Sequence, residues 1–282
     1  MLFLWANRRA RGRFPAAPCP AAGKAAHPRG RGRRRAMRIG ILETGEVAED
    51  LRARHGDYPA MFRALLSAAD PALEFATVRV VAGEMPAAPG QADAWLVTGS
   101  RHGVYDDLPW IEPLKAFLRQ CLAEHVPVVG ICFGHQILAE ALGGEVVKSD
   151  RGWGLGVQEY DIVARPGWMA DAPARFAMRA VHQDQVITPP PGTVVLARSG
   201  FCDYAALAYG DPEAPDAISL QPHPEFGPEF MAELLALRAG TAFPMADFEA
   251  AQPGLDRPVA GADWARWIVA YLRRAEAARD AA

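Results

Sequence analysis

The sequence is poor in cysteine, with four in 282 residues at Cys19, Cys121, Cys132 and Cys202. That is too few and too scattered for a disulfide framework, and no Cys-x-x-Cys pair is present. A reduced, cytoplasmic protein is expected, in which one thiol is free for chemistry. No His, Cys, Asp or Glu cluster has zinc spacing, so no metal site is expected. No apolar run reaches eighteen residues, so no membrane-spanning helix is expected. A Gly-rich phosphate loop ending in Lys and Ser or Thr is also missing. The chain is therefore not expected to activate a substrate with ATP, and no cofactor is expected. Neither an internal repeat nor a Gly/Ser linker breaks the sequence.

The formal net charge of -3 is unevenly spread. Residues 1–36 carry ten of the thirty Lys and Arg residues and no acid, which leaves 20 basic against 33 acidic residues in the remainder, a net of -13. A body that acidic lacks the positive face that phosphate backbones require, so no nucleic-acid partner is expected. The first 36 residues are rich in Arg, Ala, Pro and Gly and show no periodicity. They read as a disordered basic extension, because they bury too little apolar surface to offset the ordering entropy. Met37 stands directly before a clear strand, and it is the expected start of translation, with a single domain over 37–282.

From residue 38 the chain alternates apolar strands with helical patterns. Strands are expected at 38–42, 73–81, 94–98 and 126–131, with helices at 58–69, 109–124 and 134–142. Gly143-Gly144 closes the last of these. The second half changes character. Strands at 155–163 and 193–208 suggest an antiparallel region, a further strand lies at 216–221, and helices are expected at 227–239 and 262–279. The fold class is α/β, a central and mostly parallel sheet with helices on both faces and a small antiparallel region. In such sheets ligands bind beyond the carboxyl ends of the strands.

Gly130-Ile-Cys132-Phe-Gly134 lies at one such end. Small residues two before and two after a nucleophile let a strand turn sharply into a helix. The turn projects the side chain, and the helix amino terminus favours an anion there, hence a thiolate. Cys121 sits on a helical stripe and reads as core, while Cys202 and Cys19 have no catalytic context. Acyl transfer also needs a proton carrier. His223, in Gln221-Pro-His223-Pro-Glu225, follows an apolar strand and so shares the sheet end with Cys132. Its imidazole titrates near neutral pH, and Glu225 two residues on is placed to orient it. His182, in Ala180-Val-His-Gln-Asp184, is the competing base and stays open on spacing alone. His55, His102, His125 and His135 read as loop or helix-surface residues.

Taken together, Pro127-Val-Val-Gly-Ile-Cys-Phe-Gly-His-Gln136, His223-Pro-Glu225 and Val97-Thr-Gly-Ser100 resemble class I glutamine amidotransferases, whose fold is flavodoxin-like. The resemblance covers roughly residues 38–230, with its separated motifs in the right order. It is nearest to the stand-alone subgroup that includes γ-glutamyl peptidases, and it extends to the amidotransferase domain of guanosine monophosphate synthetase. It implies that Cys132 forms a γ-glutamyl thioester, that His223 moves the protons and that Glu225 orients the imidazole. It further implies an oxyanion hole from the backbone of Phe133 with Gly99 or Ser100, worth roughly 2.7–4 kcal/mol per donor. Gln136, His182 and Asp184 match positions that hold the glutamyl group. The loop reads Gly99-Ser100 where synthetases often have Gly-Gly, a departure that bears on whether that position takes φ > 0. The implied substrate is a small γ-glutamyl compound such as glutamine, with hydrolysis or acyl transfer as the reaction. Two alternatives are an ammonia-donor subunit for a separate synthetase chain and a non-catalytic regulatory protein on the same scaffold.

Overall fold

Five strands pair in parallel: β1 (Met37–Leu42), β2 (Leu73–Val78) at the sheet edge, β3 (Ala94–Val97), β4 (Val128–Ile131) and β11 (Ala217–Leu220). The structure is a computed structural model and describes residues 36–281. The expected basic extension lies outside the described residues up to residue 35. Four further strands continue the sheet in antiparallel fashion: β6 (Gly154–Ile162), β7 (Arg175–His182), β9 (Thr193–Arg198) and β10 (Ala206–Tyr209). The order across the nine strands is β2-β1-β3-β4-β11-β10-β9-β6-β7. A separate two-stranded sheet pairs β5 (Glu145–Lys148) with β8 (Asp184–Thr188).

β3 and β4 are apolar at every position, and β1 and β11 at all but Arg38 and Ser219, because both faces of these strands are covered. Ile39, Ile41, Leu96, Val129 and Ile131 point into one core with α2 (Tyr58–Ala69) and α7 (Gly261–Asp280). Leu42, Trp95, Val97 and Val128 point into the other, with α3 (Ile111–Ala123) and α4 (Phe133–Ala141). A third cluster joins α1 (Glu49–His55) and α5 (Pro228–Arg238) to Leu155 and Val181. Local signals set the ends. The Asp57 carboxylate accepts from the Ala60 N–H at 2.7 Å to cap α2. At the end of α4 the N–H groups of Gly143 and Gly144 donate to the carbonyls of Glu140 and Ala139, at 3.2 and 2.9 Å.

The mostly parallel sheet with helices on both faces and a small antiparallel region is present as expected. Several boundaries and short elements differ. The strand expected to reach residue 81 stops at Val78, because the Arg79 N–H donates to Glu84 Oε2 and a 3-10 turn follows at Val80–Ala82. The run 193–208 is two strands. Ser199 Oγ accepts from the N–H groups of Phe201 and Cys202, which breaks the chain between β9 and β10. The pattern missed β5, β7, β8, α1 and α6 (Met245–Ala251).

Candidate active site

Because β1, β3, β4 and β11 are adjacent and parallel, their carboxyl ends deliver four loops to one place. Ile131 and Leu220 are register partners, and the Cys132 N–H donates to the Leu220 carbonyl at 2.8 Å. The residues after β4 and after β11 are thereby held level.

Cys132 has φ 53° and ψ -104°, one of two non-glycine residues with positive φ among the described residues. Side chains at such dihedrals carry strain of order 1–3 kcal/mol, and the packing around the turn must hold it. The glycines on either side make the turn possible. A Cβ at Gly130 would lie 2.3 Å from the Gly134 carbonyl oxygen, and one at Gly134 would lie 2.4 Å from that of Val97. The elbow is therefore backbone packed on backbone. It leaves Cys132 6% exposed, in the wall of a cavity of about 330 Å³.

His223 is buried beside it. Nδ1 lies 2.7 Å from Glu225 Oε1, and the two side chains are 4% and 0% exposed. The imidazole lies flat on Phe226, with centroids 3.9 Å apart and planes 6° from parallel. The backbone is anchored too, since the His223 N–H donates to the Arg179 carbonyl at 2.8 Å. The buried Arg179 guanidinium donates in turn to the carbonyls of Phe226 and Leu255, at 3.1 and 3.0 Å. Burial opposes a charge on His223, but the Glu225 carboxylate and the Cys132 sulfur outweigh it and raise the imidazole to about 10. Nε2 makes no hydrogen bond of standard geometry, although the sulfur is near enough to raise the basicity of the ring.

The loop after β3 closes the third side. A methyl group on Gly99 would lie 3.0 Å from His223 Cε1 and 3.7 Å from Cys132 Cβ, so only glycine fits without displacing the imidazole. Thr44, after β1, holds this loop. Its N–H donates to Thr98 Oγ1 at 3.0 Å and its hydroxyl to the Thr98 carbonyl at 2.9 Å. Neither Gly99 nor Ser100 has positive φ, so the Gly-Ser sequence carries no strain at this turn. The N–H groups of Gly99 and Ser100 donate to no other described residue. Phe133, the first residue of α4, has no intrahelical partner for its N–H.

The remaining expected residues line the same cavity. Gln136 donates through Nε2 to the Asp184 carbonyl at 2.9 Å and to Gln221 Oε1 at 3.1 Å. Burial raises the Asp184 carboxyl, against the Tyr105 hydroxyl that donates to it at 2.9 Å and the Lys148 charge. Burial, with a smaller contribution from His223, lowers His182 to about 4, so its imidazole is neutral at ordinary pH. Nδ1 donates to the Asp184 carbonyl at 3.2 Å. Glu225 is the carboxylate in hydrogen-bond contact with His223, and His182 has no such partner among the described residues.

One expectation about a histidine is corrected. His135 is not a surface residue. It is 0% exposed, it meets Ser219 Oγ at 2.7 Å through Nδ1, and burial lowers it to about 3. His102 lines the cavity over Cys132. Residues the pattern did not single out are Tyr105, Lys148, Trp153 and Arg238 on the cavity wall, and Arg179 and Phe226 behind His223. Among the described residues no group of three or more His, Cys, Asp or Glu side chains is arranged to hold a metal ion. A larger cavity, about 570 Å³, lies at the opposite ends of β4 and β11 beside Pro127 and Asp216, and no thiol lines it. The arrangement at Cys132 joins a thiol, an imidazole and a buried carboxylate, a set suited to nucleophilic acyl transfer.

Known proteins share this frame. A solved glutamine amidotransferase from Methylobacillus flagellatus is 25% identical, with a TM-score of 0.63 over 83% of this chain and 95% of that one. Gamma-glutamyl peptidase 5 of Arabidopsis thaliana is 30% identical over 164 residues, 56% of this chain and 64% of the peptidase. A glutamine-hydrolyzing GMP synthase subunit of Methanothrix thermoacetophila is 38% identical over 100 residues, 36% of this chain and 53% of that protein. The chain thus spans less than two thirds of the length of these two curated relatives. Residues 87–237, more than half of the chain, match the glutamine amidotransferase class-I family, and the chain belongs to that family.

Proposed function

We propose that the chain cleaves γ-glutamyl amides, in glutamine or a γ-glutamyl peptide, through a thioester on Cys132. In this reading the Cys132 thiolate attacks the γ-carbonyl carbon, and the oxyanion is met by the Phe133 N–H and one from Gly99 or Ser100. The C–N bond then breaks, and the His223 imidazolium gives its proton to the departing amine. Water, or an acceptor amine, attacks the thioester next. His223 takes the proton from this nucleophile, and the thiolate leaves with glutamate or a new γ-glutamyl amide as product. Glu225 holds the imidazole and favours its charged form. Gln136, His182 and Asp184 hold the glutamyl end. A cytoplasmic setting fits a thiol nucleophile and the unpaired Cys121 and Cys202.

One observation carries the reading. His223 is fixed on three sides, by Glu225 at 2.7 Å, by Phe226 at 3.9 Å and by the Gly99 backbone, beside a cysteine at a strained strand-to-helix turn. Packing that holds an imidazole this closely is more than a surface histidine requires.

The test is release of glutamate from glutamine and from glutathione by the purified protein, beside Cys132→Ala. Loss of all release in the variant is the expected result. Equal release by both proteins, or none by either together with no labelling of Cys132 by a glutamine-analogue electrophile, removes the proposal. The likeness to a synthase subunit supports a second reading, an ammonia donor for a separate synthetase chain. It predicts weak glutaminase activity that rises when the partner is added.

A further inference from the structure

The cavity over Cys132 continues beyond the glutamyl end. Arg101, His102, Trp153 and Arg238 line both it and a second cavity of about 520 Å³, which extends along the loop after β1 to Arg52 and Tyr58. The first cavity alone is within the size range of a small-molecule site.

The charge of the second space is specific. Arg52, Arg101 and Arg238 all face it, and none of the three side chains forms an ion pair or a hydrogen bond with another described residue. Arg52 and Arg238 stand in the last turns of α1 and α5, where the helix dipole favours a cation. That accounts for their tolerance there but leaves their donors unused. Arg101 has no helix behind it and directly follows the Gly99-Ser100 loop. Two acids share the wall. Glu46 is engaged by Arg79 at 2.6 Å, and Glu49 is exposed, as are Arg52 and Arg101, while Arg238 is half-buried. The balance of unpaired charge is positive.

We infer that the second cavity is the leaving-group subsite and that it selects an anionic leaving group. The substrate class is a γ-glutamyl peptide whose terminal carboxylate is held by Arg101 and Arg238. This inference rests on the thioester reading above. The peptide's own amino nitrogen is the atom that departs from Cys132. A dipeptide extends about 7 Å past that nitrogen, and Trp153 lines both cavities along that path. Arginine suits the task, because its planar fork binds a carboxylate through two parallel N–H donors. Amides of cationic amines are disfavoured by the same three charges.

The experiment compares kcat/KM for γ-glutamylcysteinylglycine, its carboxy-terminal amide, γ-glutamylputrescine and glutamine, with the wild-type chain, Arg101→Gln and Arg238→Gln. The expected result is a preference for the free acid over its amide of about tenfold in the wild type, the size of one charge-assisted hydrogen bond. The preference falls toward unity in either variant and narrows with added salt. The wild-type acid-to-amide ratio needs no variant to fold. Equal rates for acid and amide, an unchanged ratio in both variants, or a preference for the putrescine amide would overturn the subsite while leaving the thioester reading standing. No turnover of any of the four substrates overturns the subsite, and if Cys132 is also not labelled by a glutamine-analogue electrophile it overturns both.

Discussion

The carbonyl of Arg179 accepts the backbone N–H of His223 at 2.8 Å, while the Arg179 guanidinium donates to the carbonyl of Phe226, the residue on which the His223 imidazole lies. One residue of β7 thus holds His223 through its backbone carbonyl and Phe226 through its buried side chain. Among the described residues no carboxylate forms an ion pair with the guanidinium. Burial lowers its pKa, and backbone carbonyls supply its hydrogen bonds.

Phe226 is the place to test whether that platform matters. It is buried, and it also packs on Phe230 and Tyr58. Phe226→Ala opens a cavity and costs about 3–5 kcal/mol of stability. Phe226→Leu keeps most of the volume and costs less than about 1.5 kcal/mol, but it removes the flat face. The leucine variant is expected to lose about tenfold in kcat, equivalent to about 1.4 kcal/mol of barrier, with KM little changed. Steady-state kinetics beside urea unfolding of both variants checks this. An unchanged kcat in a folded Phe226→Leu would mean that Glu225 alone orients the imidazole.

The elbow makes a sharper demand on its glycines. At Gly130 and Gly134 an added Cβ meets backbone oxygens at 2.3 and 2.4 Å, and these cannot move aside as a side chain tip would. Gly130→Ala and Gly134→Ala are each expected to destabilise by about 1–3 kcal/mol or more. Gly143→Ala meets no atom within 4 Å, and its cost comes from φ 90° alone. That cost is about 1–2 kcal/mol. Thermal or urea midpoints order the three. The two elbow variants are expected to lose activity as well as stability, and Gly143→Ala only stability.

Stability should depend on pH in both directions, and the sign follows from three histidines. His223 is raised to about 10 in the folded chain. Its contribution is complete below the ordinary imidazole pKa near 6.5 and is lost as pH rises through 10. His182 and His135 are lowered, to about 4 and about 3. Their neutral burial contributes above 6.5 and is lost as pH falls toward 4 and then 3, because the unfolded chain takes up protons first. Urea midpoints measured from pH 4 to 10 are expected to fall on both sides of a maximum near 6.5. Glu225→Gln removes the charge that raises His223, so it should flatten the alkaline side and leave the acid side in place. A symmetrical change would show that other groups set the profile.

How legible an element is in the sequence depends on what covers it. β3 and β4 are legible because two covered faces force continuous apolar runs, and β1 and β11 because each breaks such a run at one residue only, Arg38 and Ser219. β7 is not, because Arg179 interrupts Met178 and Ala180, and a buried arginine signals a loop until its carbonyl acceptors are known. α1 is seven residues long and buries Leu51 alone, so it has no stripe to read. His135 reads as a surface residue, because nothing in the sequence shows that Ser219 of β11 lies against its imidazole at 2.7 Å. The same limit divides the site. Cys132, His223 and Glu225 sit in motifs whose spacing is chemical. Phe226, Arg179, Tyr105 and Arg238 serve by position, and position comes from packing between segments far apart in the chain.

Tyr105 gives the most direct test of the glutamyl end. Its hydroxyl donates to Asp184 Oδ2 at 2.9 Å, although the residue itself is 52% exposed. Asp184 faces Lys148 as its register partner on β5, so the carboxylate is held between a phenol and the strand that carries an ammonium group. Tyr105→Phe removes the hydroxyl and keeps the ring. A neutral hydrogen bond contributes about 0.5–1.5 kcal/mol net, which corresponds to a rise in KM of about two- to tenfold. The hydroxyl does not touch Cys132 or His223 in any hydrogen bond, so kcat is expected to stay within about twofold of wild type. The same rise should appear with glutamine and with a γ-glutamyl peptide, since both present the same glutamyl end. If only the peptide is affected, Tyr105 belongs to the leaving-group side, and Asp184 is positioned by Lys148 and the strand pairing instead.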